Sequence, residues 1–128
     1  MPNDCYNYLT ITTDSPEELN DIIRNEFQHE SNADNEYVYN ETVKVQQRGS
    51  RGIRLRLWTA WSPEFEWLEG LLDKYPFIWI KNEWEEEGGM AGVWIGKLFE
   101  GEKDIKHLEW LDLCIEAKHY LFTESNEV

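Results

Sequence analysis

The densest group of ionisable side chains is Glu83, Glu85, Glu86 and Glu87, four carboxylates within the segment 83–87. A hard cation would need several oxygens converging at about 2.3–2.6 Å. On a strand Glu83, Glu85 and Glu87 share a face, yet same-face neighbours stand about 7 Å apart, and no Asp-x-Asp-x-Asp-Gly loop accompanies them. The run therefore reads as a solvated strand end or as a contact for a cationic partner. His29, His107 and His119 with Cys5 and Cys114 lack zinc-ligand spacing. Cys5 with one histidine could form a nucleophile–base pair, but a cysteine opening a central strand is more often core. Gly88-Gly89-Met90-Ala91-Gly92 is no phosphate loop and reads as a hairpin turn, and no serine occupies a nucleophile elbow. The expectation is a protein without catalysis, bound metal or cofactor.

A second constellation lies earlier in the chain. Tyr6 and Tyr8 alternate with Leu9 and Ile11, while Arg54, Arg56 and Trp58 alternate with Ile53, Leu55 and Leu57. If these strands pair, the aromatic and arginine side chains share one face. Such a platform stacks unpaired bases. The competing reading is that the C-terminal segment packs on those rings and makes a second small core. Charge favours a different partner. The chain has 26 Asp+Glu against 12 Lys+Arg, a formal −14, and residues 61–128 hold 16 of those acids with 6 bases. Glu64, Glu66 and Glu69 extend the acidic half beyond the 83–87 run. A charge of this size repels nucleic acid and anionic membranes at long range and draws basic partners.

The scaffold is legible from punctuation. Cys5 to Thr13 is β-branched, aromatic and alternating, hence a strand. Ser15, Pro16 and Glu18 form a capping box before a helix carrying Leu19, Ile22, Ile23 and Phe27. His29 to Glu36 reads as a loop and Tyr37 to Gln47 as a strand. Arg48 to Gly52 is a turn, and Ile53 to Ala60 a third strand. Ser62-Pro63-Glu64 repeats the cap and opens a helix with Phe65, Leu68, Leu72 and Tyr75 inward, Trp61 standing at a staple position. Phe77 to Glu87 and Met90 to Phe99 are strands around Gly88-Gly89, and Glu100 to Asp104 is a polar turn. A short strand near 105–110 and a helix near 115–122 complete the reading. Seven Trp exceed what a core of this size requires, so some are expected on the surface. The order predicts one α+β domain over 1–128: a ferredoxin-like split βαβ sandwich with an antiparallel sheet and two helices on one face. Residues 1–99 are its core, 100–122 a hairpin/helix extension and 123–128 a disordered tail.

Three segments carry a resemblance. Met1-Pro2-Asn3-Asp4-Cys5-Tyr6-Asn7 resembles the M-P-N-x-C-x-N start of the YubB-type ferredoxin-like family. Thr59-Ala60-Trp61-Ser62-Pro63 resembles its T-A-W-S-P junction, and Glu87 to Gly92 its E-x-G-x-x-G turn. Asp4 stands where that family usually has an aromatic, and its longer middle segment is reduced here to Arg48–Gly52. The resemblance implies the fold and an origin in phages or other mobile elements, and it carries over no catalytic residues. The function expected is a non-enzymatic acidic protein in the host cytoplasm. It would bind a basic host or viral protein through Glu83, Glu85, Glu86, Glu87, Glu64, Glu66 and Glu69, mimicking nucleic acid to inhibit a host defence or DNA-binding protein. The alternative is a single-stranded nucleic-acid or nucleotide binder using Tyr6, Tyr8, Arg54, Arg56 and Trp58. No membrane partner is expected.

Overall fold

The computed structural model describes residues 3–31 and 36–110. Among the described residues eight strands are formed: β1 (Asp4–Thr12), β2 (Gln28–Glu30), β3 (Tyr37–Tyr39), β4 (Val43–Arg48), β5 (Gly52–Ala60), β6 (Trp79–Glu86), β7 (Ala91–Phe99) and β8 (Glu102–Trp110). Six of them make one antiparallel sheet in the order β4-β5-β1-β6-β7-β8, and β2 pairs with β3 in a second, two-stranded sheet. Helix α1 (Pro16–Ile22) runs directly into a π-helical turn, Ile23–Phe27, and helix α2 spans Phe65–Lys74. Among the described residues no helix is long and apolar enough to cross a membrane.

Alternation sets the two faces of the sheet. In β1, Cys5, Asn7, Leu9 and Ile11 are buried while Tyr6, Tyr8 and Thr10 are half-buried on the other side. Leu9 and Ile11 join Ile53 and Leu55 of β5, Ile80 of β6 and Trp94 of β7 in one apolar cluster. Leu19, Ile22, Ile23 and Phe27 enter it from the first helical segment, and Leu68, Leu71 and Leu72 from α2. Both helices therefore cover the same, inner face. Each of the larger side chains contributes about 1.5–3 kcal/mol on burial, which is what binds the two layers. Two glycines in β7 make room for indoles. A Cβ on Gly92 would lie 2.8 Å from the Trp84 ring, and one on Gly96 2.6 Å from the Trp94 ring. A smaller cluster of Ala91, Val93 and Trp110, with Ile95 against it, lies on the outer face.

The start of α1 follows its sequence signature: Ser15 is the N-cap, and its Oγ accepts from Glu18 N at 3.2 Å. The second cap does not. Glu64, not Ser62, occupies the N-cap of α2 and makes no side-chain capping bond. Trp61 takes a left-handed φ of 69°, so the chain turns before the helix and Ser62 Oγ lies against Pro63 O. Trp61 is 57% exposed and staples nothing. Three further expectations are corrected. Tyr37–Gln47 is two strands, because the chain turns at Asn40, whose carbonyl accepts from Val43 N. His29 and Glu30 are not loop but part of β2, which zips onto β3. The turn after β7 is only Glu100 and Gly101, both with positive φ (52° and 83°), which is the geometry of a two-residue hairpin; β8 thus begins at Glu102. Trp61 is a surface indole, as the tryptophan count requires, whereas Trp84, Trp94 and Trp110 are buried. The expected helix at 115–122, the tail at 123–128, Cys114 and His119 lie outside the described residues.

The three segments behind the family resemblance meet at one corner. Trp61 N donates to Asn3 O, and Asn3 Nδ2 donates to Glu86 Oε1 at 3.1 Å. Asp4 N donates to Glu87 Oε1, and Glu87 N returns a bond to Asp4 O. Asn7 Nδ2 reaches Thr59 Oγ1 at 2.9 Å, and Thr59 Oγ1 donates to Ser62 O at 2.8 Å. These bonds clamp the start of β1 between the end of β5 and the β6–β7 turn.

Candidate functional site

The register of β1 with β5 pairs Tyr6 with Trp58, Tyr8 with Arg56 and Thr10 with Arg54. All five residues of the sheet-face constellation thus stand on the outer face, away from the helices. Tyr6 and Trp58 meet edge to face with centroids 6.5 Å apart. The Arg56 guanidinium lies 4.6 Å from the centre of the Trp58 ring and 5.9 Å from that of Tyr6. Contacts of this kind hold the guanidinium flat and pre-oriented. Arg56 Nε is buried without an acceptor among the described residues, so its hydrogen-bonding capacity is not consumed by neighbours. Arg54, on the same face, is exposed.

The opposite neighbour of β1 supplies carboxylates to the same face. Tyr6 pairs with Glu85 and Tyr8 with Glu83 of β6. Tyr8 Oη donates to Glu85 Oε1 at 3.2 Å. Its phenol is held above the ordinary tyrosine range, first by burial and next by the charge of Glu85. Glu83 is ion-paired with Lys81 at 3.1 Å. Across the whole sheet the register sets six cations on the outer face: Lys44, Arg54, Arg56, Lys81, Lys97 and Lys106. Five carboxylates accompany them, Asp4, Glu83, Glu85, Glu102 and Asp104. Half of the 12 Lys+Arg of a chain with net charge −14 is therefore gathered on this one surface.

The seven glutamates of the acidic surface are not brought together. Glu83 and Glu85 belong to the outer face, while Glu64, Glu66 and Glu69 ride on or next to α2, which covers the inner one. Glu86 and Glu87 turn back on the chain: Glu86 accepts from Asn3 Nδ2 and Gly88 N, and Glu87 from Asp4 N. Their proximity in sequence thus has a structural use in closing the β6–β7 turn. Glu69, with Asp73, is paired with Lys103 of β8, each at 3.0 Å. Those two carboxylates raise the Lys103 ammonium above the ordinary lysine range. Glu64 and Glu66 are exposed and make no ion pair with a described residue.

Cys5 is a free thiol buried at 0% exposure. Burial pushes its pKa up, a hydrogen bond with Thr59 opposes this, and the Glu86 charge adds to it. Such a thiol is a poor nucleophile. Among the described residues no three His, Cys, Asp or Glu side chains group closely enough to hold a metal ion.

One polar feature escaped the reading of the sequence. Asn7 and Asn82 stand on the inner face, each 2% exposed, and Asn82 Nδ2 donates to Asn7 Oδ1 at 3.0 Å. Their signal was present: each occupies an inward position of an alternating strand, between Cys5 and Leu9 and between Ile80 and Trp84. Near them Glu26, its side chain 6% exposed, accepts from Trp67 Nε1, Lys74 Nζ and Tyr75 Oη. No protein-family model matches the chain, and comparison with curated proteins and with solved structures finds no match.

Proposed function

We propose that this chain is a non-catalytic, ferredoxin-like binding protein whose outer sheet face takes up single-stranded nucleic acid. The fold part of the reading is supported by strand order. Taking β1, β4, β5 and β6 as the four core strands, they lie in the sheet as second, third, first, fourth. Each strand–helix–strand unit therefore skips one strand, as in a split βαβ pair. The remaining strands are additions, and the three motif segments that resemble the YubB-type family converge on one clamp.

The binding part rests on one observation, the stacked trio Tyr6, Trp58 and Arg56 on a face holding half of the chain's cations. Aromatic rings and guanidinium planes stack bases, each worth about 1–3 kcal/mol, without reading sequence. Lys44, Arg54 and Lys81 are placed to follow a phosphate backbone, and their local attraction to it is what added salt weakens. The test is fluorescence titration of the full chain with a labelled oligonucleotide. Binding should weaken as salt rises. Trp58→Ala and Arg56→Ala should each weaken it about tenfold, with melting temperatures close to the parent's. Absence of salt-dependent binding would refute this reading.

A second reading is favoured by the exposed, ion-pair-free carboxylates of Glu64 and Glu66 on the helical side. Together with Glu69 they would engage a basic protein, as expected of an acidic decoy. Replacing all three with Gln should then slow association and flatten its salt dependence. Unchanged capture of basic partners by the triple variant would remove it.

A further inference from the structure

A cavity of about 160 Å³ lies on the inner side of the sheet, lined by Asn7, Asn82, Glu26, Glu64, Phe27 and Trp67 among others. Engineered apolar cavities of about 150 Å³ accept a benzene ring, so the space suits a ligand of about six non-hydrogen atoms. Its polar wall has a fixed direction. The Thr59 hydroxyl proton is given to Ser62 O, leaving its oxygen to accept from Asn7 Nδ2. Cys5 O and Leu57 O lie 3.4 and 3.5 Å from the same nitrogen, and both are acceptors, which sets the Asn7 amide one way round. Asn7 Oδ1 then accepts from Asn82 Nδ2. The relay ends on Asn82 Oδ1, a buried acceptor with no partner among the described residues. Buried acceptors of this kind are rarely left unmet.

The two ionisable groups of the lining are both acidic. Glu26 already serves three donors, and Glu64 is exposed without an ion pair to a described residue. Among the described residues no Lys or Arg lines the space, while Phe27 and Trp67, which meet edge to face at 5.8 Å, supply an aromatic wall. An unmet buried acceptor, a carboxylate without an ion pair among the described residues and aromatic faces together describe a host for a nitrogen cation. The geometry points to a binding site for a small alkylguanidinium or alkylammonium group. Its N–H donates to Asn82 Oδ1, its charge faces Glu64, and its carbons pack on Phe27 and Trp67. The group belongs either to a free amine or to an arginine or lysine side chain. This site lies on the opposite side of the sheet from the proposed nucleic-acid surface and stands independently of it.

The test is nuclear magnetic resonance of the isotope-labelled full chain with n-propylguanidinium, with its uncharged analogue n-propylurea, and with N-acetylarginine amide. Propylguanidinium should give saturable shifts at the Asn82 amide and the Trp67 indole N–H. Propylurea should bind about tenfold more weakly, because a charge-assisted contact is lost. Asn82→Leu should abolish the shifts, but it also strips a partner from Asn7 and can unfold the chain. Glu64→Gln, on an exposed side chain, therefore carries the test and should weaken binding about fivefold. Binding of N-acetylarginine amide as well identifies a protein side chain as the source; its exclusion with propylguanidinium retained identifies a free small molecule. No saturable shift with either cation, equal affinity for propylurea, or no effect of Glu64→Gln would each overturn the assignment.

Discussion

Asn7 illustrates how one side chain can be both structural and positioning. Its amide joins β5, through Thr59, to β6, through Asn82, inside an otherwise apolar layer. Replacing it with leucine removes the acceptor for Asn82 Nδ2 and the donor to Thr59 together. Asn7→Leu should destabilise the fold by about 2–4 kcal/mol, read as a lower urea midpoint at unchanged slope. Glu18 is a residue whose charge the fold tolerates poorly. Burial raises its carboxyl above the ordinary glutamate range, opposed by a hydrogen bond from the Asp14 backbone, with Asp14 and Asp21 adding like charge. A raised acid stabilises the fold below its unfolded value and loses that contribution as pH rises through its folded value. Glu18→Gln should therefore raise the melting temperature at pH 7 and leave it nearly unchanged at pH 3. A lower melting temperature at pH 7 would contradict that sign.

The strands and helices respond to space more than to propensity. A Cβ on Gly92 would sit 2.5 Å from Leu108 O and 2.8 Å from the Trp84 ring, whereas one on Gly70, inside α2, meets nothing within 4 Å. Gly92→Ala should cost about 1–3 kcal/mol by overpacking, and Gly70→Ala should gain about 1 kcal/mol by helix propensity; thermal denaturation of both variants checks the contrast. These element-level facts also explain what could be read beforehand. Ile53, Leu55 and Leu57 alternate with Arg54, Arg56 and Trp58, so both faces of β5 were visible, and with them the platform. The break within Tyr37–Gln47 was not, because Asn40-Glu41-Thr42 contains neither glycine nor proline. The false cap at Ser62 arose because a tryptophan, rather than a glycine, takes the left-handed turn before α2. That Glu83 and Glu85 stand beside Tyr8 and Tyr6 depends on the β1–β6 register, which no local pattern encodes. The cavity was hidden for a similar reason: Asn7 and Asn82 are far apart in the chain, and only sheet order makes them one group.

At the scale of the molecule, charge is sorted rather than spread. The outer face gathers cations although acids outnumber bases by 26 to 12, so among the described residues the excess negative charge falls on the helical side and at the turns. Self-repulsion of that excess should destabilise the native state at low ionic strength. The screening length falls from about 30 Å at 0.01 M to about 10 Å at 0.1 M salt. Sodium chloride over this range should therefore raise the melting temperature, and a flat response would show that local pairing already neutralises the surface. The position of β1 has a different kind of consequence. It is hydrogen-bonded on both sides, to residues 52–60 and to residues 79–86, yet the ribosome makes it before either. At about 5–20 residues per second, its second neighbour follows by roughly ten seconds. During that interval Leu9 and Ile11 belong to a strand with an open edge, the form most prone to pair with another chain. The meander β6-β7-β8, by contrast, pairs only with what has just been made. Nascent chains should thus be most dependent on chaperones before β6 emerges.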